Sequence, residues 1–135
     1  MKYLKLKATV LLVAIVTIYS CSLGDDGGGE TCIENRYAKI TAVTGNDTIQ
    51  VGRTATANVT FTIDNDCGYF YNFGESPGVP RQVGVLVQYE GCKCDTVVST
   101  ETKPYVFTPS TVGEFAIKFY VSPNTFITKT YTVVE

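Results

Sequence analysis

The sequence predicts an all-β domain of about seven short antiparallel strands, closed as a sandwich or barrel. Residues 54–63 alternate without interruption. Ala55, Ala57, Val59, Phe61 and Ile63 are set against Thr54, Thr56, Asn58, Thr60 and Thr62, which is period two with one face buried. Clusters of Gly, Pro, Asn and Asp punctuate the chain at roughly eight- to twelve-residue spacing, as in sandwiches and barrels. Beyond the first twenty residues no stretch has a helical period. Nine Tyr, seven Phe and no Trp, with abundant Thr, make a β-forming composition.

The chain opens with a different kind of segment. Met1–Lys7 carries three lysines and no acid, and Ala8–Tyr19 is a 12-residue apolar run. This is the layout of a secretory signal peptide. The run is too short to cross a membrane as a helix, which takes about 20 residues. Ile18-Tyr19-Ser20-Cys21 resembles the lipobox of bacterial lipoproteins, with an aliphatic residue at −3, a small one at −1 and then Cys. The resemblance implies that residues 1–20 are a lipoprotein signal peptide, removed before Cys21. Cys21 would then carry a diacylglyceryl thioether and an acylated amino group, and two or three chains in one place anchor stably. The competing reading is an ordinary secretory signal with an unrelated cysteine. Residues 21–31 are Gly-rich and acidic with no apolar periodicity, as expected of a lipidated flexible linker. Acids soon after the lipid-bearing Cys resemble the export signal of Bacteroidota surface lipoproteins. This implies an outer-membrane, lipid-anchored, cell-surface location.

Removing residues 1–20 leaves 115 residues, enough for one domain over 32–135. Eight basic residues then face thirteen acidic ones, a net charge of −5, which disfavours a nucleic-acid partner. Four cysteines remain, Cys32, Cys67, Cys92 and Cys94. An even number in an exported domain implies disulfides. Cys92 and Cys94 are two apart, about 7 Å between Cα atoms if extended, at the edge of disulfide reach. Cys32 and Cys67 are therefore each expected to bond one of that pair, in either combination. The rival is a four-thiolate zinc site. The C-x-C spacing, the export signal and the absence of His argue against it.

The first strand is expected over 37–43, with Ala38, Ile40 and Ala42 on one face. Gly45-Asn46-Asp47 turns the chain, 48–51 is a short edge segment, and Gly52-Arg53 breaks it. The strand at 54–63 follows, then a turn at Asp64–Gly68, then an aromatic strand at Tyr69–Phe73. Residues 74–80 form a loop by their Gly and Pro content. Residues 82–90 direct Val83, Val85, Val87 and Tyr89 to one face, and 91–94 turn. Segments 95–99 and 105–108 are extended, with Lys103-Pro104 disturbing any single strand between them. After a corner at 109–113, residues 114–121 direct Phe115, Ile117, Phe119 and Val121 inward. Ser122-Pro123-Asn124 makes a hairpin into the last strand, 126–134, which buries Ile127, Tyr131 and Val133. If the strands run antiparallel in order, all four cysteines gather at the pole that receives the linker. The 45–47, 74–81 and 109–112 loops then crown the opposite pole.

Val51-Gly52 before the second strand, and Phe107-Thr108-Pro109 leading through Gly113-Glu114-Phe115, resemble the immunoglobulin-like domains of Bacteroidota surface lipoproteins. The resemblance covers about residues 37–134. It implies an immunoglobulin-like antiparallel β-sandwich of about seven strands. The chain departs from antibody domains in having no Trp in the third strand and no Cys in the sixth.

No constellation for catalysis is evident. There is no His to serve as the base of a nucleophilic triad. Glu34, Glu75, Glu90, Glu101 and Glu114 are scattered singly, as solvated surface charge is. No glycine-rich phosphate loop follows a strand and opens a helix. Asp64-Asn65-Asp66 reads as turn chemistry rather than a calcium loop. No catalytic residue, metal or cofactor is expected.

The candidate binding surface is Tyr69-Phe70-Tyr71-Asn72-Phe73. Adjacent residues point to opposite sheet faces. Either Phe70 with Asn72, or Tyr69, Tyr71 and Phe73, faces outward to meet a sugar ring or a partner protein. The competing reading is that these aromatics fill the core. Asp47-Thr48-Ile49 and Asp95-Thr96-Val97 resemble the O-glycosylation acceptor of Bacteroidota exported proteins, implying modification at Thr48 and Thr96. The expected function is a cell-surface binding or accessory module without catalysis, held to the membrane through Cys21 and contacting a protein or glycan. The alternatives are a carbohydrate-binding lipoprotein of a polysaccharide-uptake system and an envelope adhesion or structural subunit.

Overall fold

A computed structural model describes residues 32–135; the signal peptide expected at 1–20, Cys21 and the linker expected at 21–31 lie outside the described residues. The described chain is all β, in nine strands: β1 (Ile33–Ala38), β2 (Ile40–Thr44), β3 (Thr48–Gln50), β4 (Ala55–Ile63), β5 (Gly68–Ser76), β6 (Arg81–Glu90), β7 (Ser99–Phe107), β8 (Gly113–Ser122) and β9 (Thr125–Val134). They form two sheets packed face to face. The smaller has the order β2-β4-β7. In the larger, β5 pairs one edge of β6, while β1 and β8 share its other edge, and β9 and β3 follow.

The alternation of β4 places Ala55, Ala57, Val59, Phe61 and Ile63 in the core, and β6 does the same with Val83, Val85, Val87 and Tyr89. Between the sheets, aromatic rings meet mostly edge to face, as their quadrupoles favour. Tyr105 and Phe119 are 6.0 Å apart, and Phe107 and Tyr131 are 5.0 Å apart. Tyr131 is completely buried, and its hydroxyl has no hydrogen-bond partner. Burial, and then the charge of Asp47, raise its pKa to about 12 from 10.0. Tyr131→Phe removes an unpaired polar atom and no bond, so its unfolding free energy at pH 7 should lie within ~0.5 kcal/mol of the native chain, or above it. The native chain should hold its stability up to pH 10. It should then lose roughly 2–3 kcal/mol as ionisation favours the unfolded state up to pH 12. The Phe variant should lack the Tyr131 share of the alkaline loss and keep only what the raised Tyr105 contributes, which urea unfolding across the alkaline range would measure.

Several expectations are corrected. The strand placed at 37–43 is two strands in different sheets, broken at Lys39, whose carbonyl accepts the Thr62 amide at 3.1 Å. Ala38 faces the core from the larger sheet and Ile40 from the smaller. Both inner faces share one core, so the apolar period runs through the break as far as Ile40; a β-bulge between Ile40 and Ala42 then sets Ala42 opposite Thr60 and turns Val43, opposite Val59, to the core in place of the expected Ala42. β1 also begins earlier, at Ile33, because Ile33–Tyr37 forms a solvent-exposed strand with no apolar pattern to announce it.

β5 runs on through Ser76, into the segment expected as a loop. Residues 99–107 form one strand through Pro104. β7 is an edge strand, where the missing amide of Pro104 leaves no ladder bond unmade. Nine strands replace about seven, and the sandwich is not wholly antiparallel. β3 runs parallel to β9, and β6 runs parallel to β8 over Arg81–Val83 and Ile117–Phe119. A hydrophobic alternation carries no strand direction.

The cysteines do gather at one end, as Cys32–Cys92 and Cys67–Cys94. Backbone bonds knit the same place: the Gly91 amide donates to the Cys32 carbonyl at 2.9 Å, and the Glu90 amide to that of Cys67 at 3.1 Å. At the other end the Gly52 amide donates to the Pro109 carbonyl at 2.8 Å. The type II hairpin pattern, Pro at the second position and a left-handed residue at the third, is met by Pro123 and Asn124, whose φ is 63°.

Candidate binding face

The outer face of the larger sheet is built around two glycines. On β6 the residues between the core valines, among them Gln82, Gly84 and Leu86, point outward. Gly84 lies directly opposite Gly74 of β5, and Tyr37 of β1 opposite Leu86. The Tyr37 ring extends over both glycines. A Cβ on Gly84 would stand 2.7 Å from Cδ1 of Tyr37, and one on Gly74 3.0 Å from its hydroxyl. The ring therefore occupies space that any larger residue at either position would need. Tyr37 nonetheless remains 57% exposed.

Tyr120 of β8 stands beside it, with ring centroids 5.5 Å apart and planes tilted by 51°. Phe126 of β9 closes on Tyr120 edge to face at 6.2 Å. These three rings and the two glycines line a groove of about 270 Å³, with Ser76 and Gln82 adding polar side chains. The outer face of the smaller sheet is a contrast. It presents Thr56, Asn58, Thr60 and Thr62 from β4 and Thr100, Thr102, Pro104 and the exposed Val106 from β7, with no aromatic among them, and the Thr60 and Thr102 hydroxyls are 2.9 Å apart.

The aromatic strand singled out from sequence is divided by a β-bulge between Phe70 and Asn72. One extra residue puts positions three apart on the same side. Phe70 and Phe73 accordingly both turn inward, 5.1 Å apart, against Phe61 and Tyr105 respectively. Tyr69 and Tyr71 are exposed. Neither expected grouping is therefore the one observed. Tyr69 donates to the Glu90 carboxylate, and that bond is the first cause of its raised pKa. Sequence reasoning missed Tyr37, Tyr120 and Phe126. The signal was present, since Tyr120 and Phe126 lie out of phase with Phe119 and Ile127, which point to the core.

A wider groove of about 580 Å³ lies between the 78–81 and 108–111 segments, with Arg81 and Phe115 in its lining. Its cation is committed within the protein. Arg81 Nη1 donates to the Tyr105 hydroxyl at 3.3 Å and lies 3.7 Å from Glu75. The Tyr105 bond is the main cause of the raised Arg81 pKa, and burial is that of the raised Tyr105 pKa.

The Asp64–Asp66 turn is spent on its own fold. Asn65 accepts the Cys67 amide at 3.1 Å, Asp66 accepts the Asp95 amide at 2.8 Å, and Asp64 pairs with Arg36. Among the described residues, the group close enough to hold a metal is Asp66, Cys67 and Cys94, but both sulfurs belong to one disulfide. Thr48 lies exposed on β3, beside an Asp47 that pairs with Lys129. Thr96 lies exposed in the segment between β6 and β7. Compared with protein-family models, curated proteins and solved structures, the chain matches none.

Proposed function

We propose that this chain is a lipid-anchored cell-surface binding module without catalytic activity, whose contact surface for a protein or glycan is the outer face of its larger sheet. The observation that carries this is the cluster of Tyr37, Tyr120 and Phe126 on that face, where solvent-exposed aromatic area is unusual without a partner. The anchor rests on the lipobox-like residues Ile18, Ser20 and Cys21 and on the linker after them. An immunoglobulin-like reading of the sandwich is supported by β2-β4-β7, which matches the A-B-E order of that fold, and by the β8–β9 hairpin in place of F–G. It differs in placing β6 between β5 and β8. Thr48 and Thr96, both exposed, are proposed as glycan acceptors on the same analogy.

Three measurements test the proposal. In producing cells, an alkyne-tagged palmitate should label the native chain and not Cys21→Ser, and protease added to intact cells should digest the domain. A photo-reactive phenylalanine analogue at position 120 should give heavier adducts on intact cells, while the same probe at Thr60, on the smaller sheet, should give none. Absence of label would overturn the anchor. Equal adducts from both faces, or none from position 120, would overturn the binding face.

A further inference from the structure

We infer that the groove over Gly74 and Gly84 is a binding site for a neutral sugar ring, which stacks on Tyr37 against the wall formed by Tyr120 and Phe126. The inference rests on the reading of this face as the contact surface and names the ligand class.

Shape comes first. Glycine in a strand interior weakens the strand, and a facing pair is commonly found where something approaches the backbone closely. Here that something is the Tyr37 ring. An aromatic laid over strand glycines also shields the weakened ladder, and this alone would account for Tyr37. It does not account for Tyr120 tilted 51° beside the ring, Phe126 braced against Tyr120, or the open groove between them. At about 270 Å³ the space is below the range of roughly 300–1,000 Å³ that holds drug-sized ligands. It suits one or two small rings rather than a helix or a cluster of side chains.

Chemistry narrows the class. Tyrosine offers a rigid apolar face and a polar tip, the complement of a saccharide with a C–H face and hydroxyls at its edge. The side chains beside the rings are those of Ser76 and Gln82, which face each other across β5 and β6, a hydroxyl and an amide. These accept and donate hydrogen bonds as a polyol requires. Charge disfavours acidic ligands. No cation lines the groove, and the carboxylate of Glu75 at its rim is turned away to Arg81. The nearby Arg81 is engaged with Glu75 and Tyr105. Lys118, whose ammonium sits 5.9 Å from the Phe126 centroid, does not line the groove.

The test uses the full mature chain and a panel of neutral gluco-, xylo-, manno- and galacto-oligosaccharides, followed by calorimetry and tyrosine difference spectra. With no Trp in the chain, near-ultraviolet changes report largely on tyrosine. At least one series should bind. Tyr37→Ala should weaken it by roughly tenfold or more, and Tyr37→Phe by less than about threefold. Gly84→Ala leaves Tyr37 in the sequence but crowds its ring, and should weaken binding as Tyr37→Ala does. Tyr71→Ala should have no effect. Urea midpoints would show that each variant is folded, and Tyr120→Ala replaces Tyr37→Ala should the latter not be. A purely shielding Tyr37 would change the midpoints and leave affinity alone, which would overturn the inference. It also fails if no neutral series binds. Should acidic oligosaccharides or peptides bind instead in a Tyr37-dependent way, the sugar class falls and the binding face stands.

Discussion

Replacing Cys32 and Cys92 together by serine should lower the free energy of unfolding by about 4 kcal/mol, and replacing Cys67 and Cys94 by about 3.5 kcal/mol, in urea titrations read by tyrosine fluorescence. The difference follows from loop length. The first bridge spans 60 residues and the second 27, and the denatured-state entropy removed by a cross-link grows with the logarithm of the loop. The loops overlap over residues 67–92, so the second bridge closes a chain the first has already constrained. Removing both should cost less than the sum. Even one loss is large for a domain whose total stability is expected near 5–15 kcal/mol. The first bridge has a further role. It pins the start of β1 to the end of β6, where Ile33 faces Glu90, and β1 carries Tyr37 onto the two glycines. Amides of residues 33–38 should exchange faster in the Cys32/Cys92 variant at temperatures where the rest of the fold is intact. A variant with unchanged exchange in β1, or a larger loss from the shorter loop, would show that local native contacts outweigh the entropy of the loops.

Much of this architecture was legible because one core imposes one pattern. The inward residues of β4, β6 and β9, and of β8 as far as Phe119, are those the period of two selects, while Val121, also expected inward, sits at a β-bulge and is not part of the core; the cysteine pole followed from running the strands antiparallel in order. The failures share a cause. Period two identifies which side faces the core, but not which sheet a strand joins or which way it runs. Ala38 and Ile40 keep phase across a change of sheet, and the parallel pairings of β3 and β6 leave no trace in composition. The bulge near Tyr71 inserts one residue, and that was enough to send Phe73 inward with Phe70. The aromatic cluster on the outer face was missed for a related reason. Tyr120 and Phe126 face each other across the β8–β9 hairpin, but Tyr37 lies on β1, far from them in sequence. Only the pairing of β1 and β8 along one edge of β6 brings Tyr37 and Tyr120 together. Gly74 and Gly84 were legible as glycines, but their joint meaning depends on register.

Phe119→Ala should destabilise the domain by about 3–5 kcal/mol, the usual cost of emptying a large aromatic site in a packed core, and should lower the thermal midpoint by roughly 15–30 °C. Phe119 is completely buried, lies edge to face with Tyr105, and pairs with Val83 at the end of the short parallel ladder between β6 and β8. Three residue pairs are all that tie β8 to β6. The packing of Phe119 and Ile117 beneath them must therefore carry much of the attachment of the β8–β9 hairpin to the rest of the sheet. The next residue, Tyr120, points the other way and forms the wall of the groove. Emptying the Phe119 site should loosen that wall without touching it, so the variant should bind the sugar proposed for the groove more weakly even at a temperature where it is fully folded. Phe119→Leu fills much of the site and should recover most of both losses. If Phe119→Ala costs less than about 1.5 kcal/mol, the two sheets must collapse readily onto the vacated volume. The hairpin would then be held mainly by its own ladder and by β3, rather than by the core beneath β8.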